Sequence, residues 1–250
     1  MLLVRHTNDD VVECGMDEAG RGSFWGPLMA GAVVWSADID SKITSQIRDS
    51  KRISPAKRER IADEIKKVAV AWGVGSVSAA EIDENGVQWA NQEAFRRALA
   101  ALRSGSAIAA AGGAGDTAAP TAPVEPGRLL IDGVIGIGDD PVEDREAHNI
   151  IDGDALYVPI AAASILAKVE HDRWVCSYCA ENPECAERYN LLSCKGYGTA
   201  KHREGLGVHG AHELHRRTFV KKYVPSGKTQ KAACKIRIKA STVATATTTD

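Results

Sequence analysis

Residues 11–35, VVECGMDEAGRGSFWGPLMAGAVVW, constrain the fold more than any other stretch of the chain. Two apolar, β-branched runs flank a short glycine-rich turn, a pattern that predicts two antiparallel strands seeding a mixed sheet. The acids Asp17 and Glu18 come near the end of the first run. Because consecutive strand side chains point to opposite faces, both acids can serve one site only if the strand ends or bulges there.

Length and composition bound the class of protein. A chain of 250 residues suffices for one large domain or a domain with an appendage, and 44% hydrophobic residues is ordinary for a chain that buries a core. The net charge of −2 neither indicates nor excludes nucleic-acid binding. An early run of acids argues against a secretory signal, and no apolar run is long enough for a membrane span. We therefore expect an intracellular protein, cytoplasmic if the organism is prokaryotic.

The first half of the chain continues with helices and a strand. Ser54 followed by Pro55 predicts an N-cap and a first helical residue. Residues 70–77 predict a third strand, and residues 82–102 predict one helix with Trp89 on its apolar stripe. We interpret Trp89 as a core residue because such stripes usually pack.

Four cysteines in the second half could suggest a metal site. The first two form a Cys-x-x-Cys pair, but the second two are separated by eight residues, unlike a usual structural zinc site. Free thiols are the preferred interpretation and zinc the alternative. The four are Cys176, Cys179, Cys185 and Cys194.

The Gly20-Arg21-Gly22 turn suits a ligand with phosphate or ribose oxygens. Glycine lets a backbone approach a ligand closely, and an arginine between two glycines can meet an oxygen anion. A bare Asp-Glu-x-Gly would be better explained as a hairpin turn with solvated charges. The longer string DEAGRG-x-x-x-GP is more specific, and it resembles the signature of the ribonuclease HII family, the type 2 ribonucleases H.

Four later motifs resemble the same family. They are DSK at 49–51, GDALYVPIAAASILAKV at 153–169, KGYGT at 195–199 and HRRTF at 215–219. In the second, small residues would let a helix lie tightly on the sheet. The last motif leads us to expect a cationic helix end near a duplex, in preference to the metal site that the spacing of His209, His212 and His215 could suggest.

The resemblance implies a ribonuclease H-like α/β fold, with a mixed central sheet flanked by helices and a helical C-terminal part. It also implies four catalytic, metal-binding acids. These are Asp17, Glu18, Asp132 and Asp172. Asp132 ends the apolar run RLLIDG, at a strand end where ligands gather in open α/β sheets. Asp172 follows Lys168 by four residues, on one face of a helix.

Four acids at one point repel one another unless cations neutralise them. Oxygen ligands favour Mg²⁺ or Mn²⁺, and two ions about 4 Å apart can activate water and stabilise a departing 3′ oxygen. The implied activity is endonucleolytic cleavage of the RNA strand of RNA–DNA hybrids, and of duplex DNA at embedded ribonucleotides. The products would carry 3′-hydroxyl and 5′-phosphate ends.

The resemblance also implies substrate contacts. The turn would sense the 2′-hydroxyl, two lysines would meet phosphates, and a tyrosine would stack on the sugar. These residues are Gly20, Arg21, Gly22, Lys51, Lys168 and Tyr197. In contrast, we interpret Lys57, Arg58 and Arg60 as solvated charges on a surface helix.

The chain departs from the family pattern at three places. Residues 104–127 are rich in Ala, Gly, Pro and Thr, and we expect a flexible insertion because they cannot bury enough apolar surface to offset their ordering entropy. Asp152 stands where relatives often carry lysine, which puts a backbone contact there in doubt. Phe24 and Trp25 are bulkier than the usual residues of their loop.

We therefore predict a catalytic domain over residues 1–222 and a loose basic tail over 223–250 that adds non-specific duplex affinity. The partners would be an RNA–DNA hybrid or ribonucleotide-containing duplex DNA, with no membrane, and the protein would be a monomer. Two alternatives stay open. One is a non-catalytic nucleic-acid-binding module of the same fold, and the other is a transposase-type or junction nuclease that ignores the 2′-hydroxyl.

Overall fold

The computed structural model describes residues 2–105, 108–109, 123–138 and 146–225. The strands are β1 (Glu13–Ala19), β2 (Leu28–Val34), β3 (Ala71–Val77), β4 (Ile108–Ala109), β5 (Arg128–Asp132) and β6 (Glu146–Ile150). The helices are α1 (Ser41–Thr44), α2 (Pro55–Val68), α3 (Ala79–Asn85), α4 (Val87–Ser104), α5 (Val158–Glu181), α6 (Pro183–Arg188), α7 (Leu191–Cys194), α8 (Ala200–His209) and α9 (Arg217–Val220). Two 3₁₀ turns lie at Ser50–Arg52 and Gly153–Ala155. None of the helices in these ranges is both long and apolar enough to cross a membrane.

The strands form one mixed sheet in the order β4-β3-β2-β1-β5-β6. Strand β1 pairs antiparallel with β2, as predicted, and parallel with β5. In the parallel pair Met16 lies opposite Ile131, so the following residues, Asp17 and Asp132, lie side by side. The sheet therefore brings two distant acids together at the carboxyl ends of neighbouring strands.

Helices cover both faces of the sheet, in agreement with the predicted ribonuclease H-like fold. On one face α4 buries Phe95 and Leu99 against apolar residues of β1, β2 and β5. On the other face α5 packs on β1 and β2, with α2 beside it. A Cβ added to Gly15 would lie 2.2 Å from the Pro159 carbonyl carbon, and one added to Gly31 would lie 2.4 Å from the Ala163 oxygen. The small residues do let α5 lie directly on the sheet.

The single helix predicted over residues 82–102 is wrong, because α3 and α4 are separate helices. Gly86 lies between them with φ 86°, a backbone conformation that interrupts a helix. Ser78 begins α3 with a capping box closed by Glu81. Trp89, at the start of α4, packs half-buried against the core, as predicted.

The C-terminal part is helical, as predicted. Trp25 is fully buried there among Val175, Leu191 and Leu206. The ring of Tyr223 lies 5.3 Å from that of Phe24, so the packed part of the chain extends past residue 222.

Two predicted segments lie mostly outside the described residues. Within the predicted insertion, β4 pairs in parallel with β3, so its first residues extend the sheet. Residues 110–122, and the tail from 226 onward, are outside the described ranges.

Candidate active site

Three carboxylates share one electrostatic environment where β1 and β5 end. Burial, and then repulsion from Glu18 and Asp132, raises the pKa of Asp17 well above its usual value. Burial also raises the pKa of Glu18, against the opposing charge of Arg21, whose Nη1 lies 3.2 Å from Glu18 Oε1. These three acids are therefore brought together, as predicted.

Strand β1 does not bulge at these acids, but it ends at Ala19, one residue after Glu18, which is one of the two expected arrangements. Strand β1 keeps a regular register with β2 to Ala19, and its side chains alternate as usual. Asp17 interacts with Ser164 of α5, whereas Glu18 interacts with Asn91 of α4. The two acids lie on opposite faces of the sheet, and both still feel the charge of Asp132 because all three are close to the carboxyl ends of β1 and β5.

Asp154 is a further acid of this cluster, and the sequence analysis missed it. The 3₁₀ turn that holds it is tied to the site because the Gly153 N–H donates to Asp132 Oδ1 at 2.7 Å. Burial, followed by repulsion from Asp132, raises the pKa of Asp154. The available signal was an acid shortly after a strand end, the same signal that identified Asp132.

The structure gives Asp172 a different set of partners. Its carboxylate lies 2.7 Å from Lys168 Nζ, 3.1 Å from His171 Nδ1 and 3.7 Å from Arg58 Nη1. Burial acts to raise the pKa of Asp172, but the hydrogen bonds from His171 and Lys168 outweigh it and lower that pKa. Lys168 and Asp172 do share a helix face, but the charge of Asp172 is already balanced by neighbouring cations.

Arg58 is buried, so its interpretation as a solvated charge is wrong. Its Nε donates to the Ser50 carbonyl and its Nη2 to the Ile53 carbonyl, both at 2.8 Å. These bonds hold the 3₁₀ turn that carries Lys51. Lys51 itself is exposed, and its charge acts to lower the pKa of Asp154. The predicted phosphate contact thus lies beside the carboxylates.

The Gly20–Gly22 turn is joined to Tyr197 across the molecule. The Gly20 N–H donates to the Tyr197 hydroxyl at 3.2 Å, and the Ser23 N–H closes the turn on the Gly20 carbonyl at 3.1 Å. Gly20 has φ 81°, and a Cβ there would lie 2.6 Å from the buried His171 ring. Lys168 Nζ lies 5.3 Å from the Tyr197 ring centre. Three of the predicted substrate residues therefore lie together.

Phe24 and Trp25, whose effect the sequence left open, connect this turn to the KGYGT loop. The Phe24 N–H donates to the Gly196 carbonyl at 2.9 Å. The Phe24 ring occupies the space beside Gly198, where a Cβ would lie 2.3 Å from it. The bulky pair anchors two loops against each other.

The HRRTF motif is not a free cationic end. His215 and Arg216 are fully buried, and only Arg217 of its two arginines is exposed. Asp83 caps α9 by accepting from the Arg217 N–H at 2.7 Å and the Thr218 N–H at 3.0 Å. Arg216 does not contribute its charge to an exposed cationic surface, because packing against the core takes its side chain out of solvent.

Two histidines form a buried hydrogen-bonded chain. The Nδ1 atom of His215 accepts a hydrogen bond from the His212 N–H at 2.8 Å. The ring proton of His215 is therefore on Nε2, which donates to His202 Nε2 at 2.9 Å. His202 Nδ1 then donates to the Tyr197 carbonyl at 3.0 Å. These hydrogen bonds therefore stabilise the KGYGT loop that carries Tyr197.

The cysteines of the second half lie around the end of α5. Cys176 accepts from Lys195 Nζ at 3.1 Å, and burial raises the pKa of Cys179 to about 11. In the described part of the chain there is no preformed metal-binding group of three or more His, Cys, Asp or Glu side chains. Metal analysis of the purified protein remains the test of the zinc alternative.

Comparison with known proteins gives a consistent result. A family model described as Ribonuclease HII matches residues 14–222. Ribonuclease HII of Acidovorax sp. (strain JS42) is 38% identical over 205 residues, which cover 82% of this chain and 83% of that protein. The crystal structure of ribonuclease H2 from Pyrococcus horikoshii OT3 has a TM-score of 0.59 at 24% identity, covering 84% of this chain and 96% of that one. The crystal structure of Bst-RNase HIII in complex with Mn²⁺ has a TM-score of 0.63 at 21% identity, and the match covers 85% of this chain and 69% of that one.

Proposed function

Because the chain belongs to the ribonuclease HII family and is therefore a type 2 ribonuclease H, we propose that it cleaves both RNA–DNA hybrids and single ribonucleotides embedded in duplex DNA. The observation that carries the proposal is the buried, mutually repelling set of acids beside a turn that is tied to Tyr197. The non-catalytic alternative offers no reason to bury such a set of charges.

We propose that four acids hold the divalent ions. They are Asp17, Glu18, Asp132 and Asp154. The raised pKa values of Asp17, Glu18 and Asp154 fit this role, because a cation would relieve the repulsion that contributes to raising them. Oxygen-only ligands favour Mg²⁺ or Mn²⁺. We prefer Asp154 to the predicted Asp172 because the charge of Asp172 is already balanced within the protein.

The chain's own residues would bind and orient the ribonucleotide. Asp17, Glu18, Asp132 and Asp154 would hold the divalent ions, whose chemistry when bound would be activation of water and neutralisation of the departing 3′ oxygen, giving 3′-hydroxyl and 5′-phosphate ends. The half-buried ring of Tyr197 would offer a face to the sugar, and Lys51 and Lys168, which lies 5.3 Å from that ring, would meet phosphates. The exposed Arg21 and Gly22 would meet the 2′-hydroxyl, the group that distinguishes RNA from DNA.

A duplex that carries one ribonucleotide tests this function directly. We expect cleavage only with Mg²⁺ or Mn²⁺, and no cleavage of an all-DNA duplex of the same sequence. Asp17→Asn should reduce activity at least about 100-fold, as loss of a group that supports the transition state does. Glu59→Gln, at an exposed acid of α2, is the matched control and should cleave normally. Undiminished activity of Asp17→Asn would refute the site, and equal cleavage of the DNA duplex would favour the junction-nuclease alternative.

We further propose that residues 1–222 form the catalytic domain, that the basic tail adds duplex affinity, and that the protein is a monomer. The family match ends at residue 222, which supports the domain boundary. A chain ending at residue 225 should unfold at the same temperature as the full chain but bind a hybrid more weakly and with less salt dependence. Light scattering of the full chain measures its oligomeric state.

A further inference from the structure

Arg216 lies fully buried beneath the Gly20–Gly22 turn. Its Nη1 donates to the Arg21 carbonyl at 2.9 Å, and its Nε donates to the Gly26 carbonyl at 3.1 Å. In the described part of the chain no carboxylate forms an ion pair with it, and the Phe219 ring centre lies 5.5 Å from its guanidinium. Burial lowers the pKa of Arg216 to about 10. A buried cation is costly, and here backbone carbonyls of the turn are its partners.

The contact with Arg21 determines which way one peptide group faces. In a trans peptide the C=O and the N–H point in opposite directions. The Arg21 carbonyl points inward to Arg216, so the Gly22 N–H of the same peptide points outward. Gly22 is exposed, and a Cβ added to it would meet nothing within 4 Å, so there is open space around this residue.

The Gly22 N–H is also a free donor. The Gly20 N–H is already taken by the Tyr197 hydroxyl, and the Ser23 N–H by the Gly20 carbonyl. Within the described ranges, no hydrogen bond uses the Gly22 N–H as donor. Glycine at this position allows the peptide to rotate unless something holds it. The hydrogen bond from Arg216 supplies that restraint.

We propose that Arg216 is a positioning residue that keeps the Gly22 N–H directed at the oxygen acceptors of the ribonucleotide. This inference rests on the proposed function. Arg216 does not touch the substrate, since its side chain is inaccessible. It acts through the turn, and it touches none of the acids proposed to hold the metal ions. Its removal should therefore weaken recognition of the ribonucleotide more than the chemical step.

The test compares Arg216→Met with wild type on a duplex carrying one ribonucleotide. Methionine keeps much of the buried volume but removes both donors. We expect KM to rise about 10-fold, the effect of losing one oriented hydrogen bond, while kcat changes little. The rise in unfolding temperature on adding Mg²⁺ should be retained, because the acids keep their places. Arg60→Met, at an exposed arginine of α2, is the matched control and should leave KM unchanged.

Two results for Arg216→Met would contradict the role proposed for Arg216. Arg216→Met with a wild-type KM overturns the inference, as does a variant that loses kcat and the Mg²⁺-induced stabilisation together. If Arg216→Met does not fold, Arg216→Lys decides instead: it keeps the charge but carries all its donors on one nitrogen, which cannot reproduce the separate Nε and Nη1 donors of the guanidinium, so its KM should also rise. Failure of the wild type to cleave the ribonucleotide duplex would instead overturn the proposed function.

Discussion

Asp132 and Asp154 are linked by a single backbone amide, that of Gly153, which donates to Asp132. Asp154 thus belongs to the repelling cluster, whereas Asp172 is paired with Lys168 and Arg58, so the two candidates for the fourth acid are experimentally separable. Asp154→Asn removes a charge from the repelling cluster, so we expect higher stability without metal, a weaker response to Mg²⁺ and activity reduced at least about 100-fold. Unfolding in urea and Mg²⁺ titration of activity measure these effects.

Asp172→Asn should behave in the opposite way. It leaves Lys168 and Arg58 without their carboxylate partner, so we expect a loss of stability of about 1–3 kcal/mol, with a normal Mg²⁺ response. If Asp172→Asn abolished the Mg²⁺ response while Asp154→Asn stayed active, the fourth acid would be Asp172, as the sequence motif predicts.

The sequence indicated site residues where a local pattern marked them, and it missed Asp154 although that residue lies inside the motif at 153–169. Asp17, Glu18 and Asp132 end apolar runs that predict strands, and Tyr197 stands between two glycines. The burial of Arg216 could not be predicted, because a basic run does not show which cation will lose its solvent. That depends on which surface the run packs against, a property of the tertiary structure.

At the scale of elements, the approach of α5 to the sheet depends on two glycines. A Cβ on Gly15 would come within 2.2 Å of helix backbone, which cannot move aside as a flexible side chain can. We expect Gly15→Ala to destabilise the protein by about 3 kcal/mol. Gly207→Ala is the control, since that helical glycine has open space around its Cα and should gain about 0.5–1 kcal/mol. Urea unfolding compares them, and equal stability of the two variants would contradict the close-packing account.

The local sequence pattern predicted which helices and strands form better than it predicted where each one begins and ends. The paired strands β1 and β2 and the start of α2 follow from β-branched runs and from the Ser-Pro pair. The break at Gly86 was missed because apolar residues continue at helical spacing on both sides of it. The order of the strands is not a local property, and only the family resemblance indicated the fold.

At the scale of the whole molecule, buried histidines link stability to pH. Burial lowers the pKa of His202 and of His215, the latter to about 3, with His212 beside it. In the unfolded chain their pKa would be about 6.5, so below that pH the unfolded state binds more protons and the folded state loses stability down to about pH 3. Asp17, Glu18 and Asp154, whose pKa values are raised, instead stabilise the folded state as the pH falls. The pH dependence of the wild type therefore combines both effects, and the contribution of one histidine is measured by comparing variants.

Replacing one histidine isolates this contribution. His215→Gln should be less stable than wild type at pH 7, because it disrupts the hydrogen bonds that run from His215 through His202 to the Tyr197 carbonyl. Between pH 7 and pH 4.5, however, the stability of the variant should fall less than that of wild type. His209→Gln, at an exposed position, should keep the wild-type pH dependence. Urea midpoints at both pH values measure the difference. Parallel pH curves for wild type and His215→Gln would show that this histidine does not titrate as described.

The contact between Gly20 and Tyr197 spans 177 positions of the chain, and that between Arg21 and Arg216 spans 195. During synthesis the ribosome releases the acids of β1 early and the residues that hold the turn late. We therefore expect a nascent chain to bind a ribonucleotide-containing duplex more weakly until Arg216 has left the exit tunnel and packed beneath the turn.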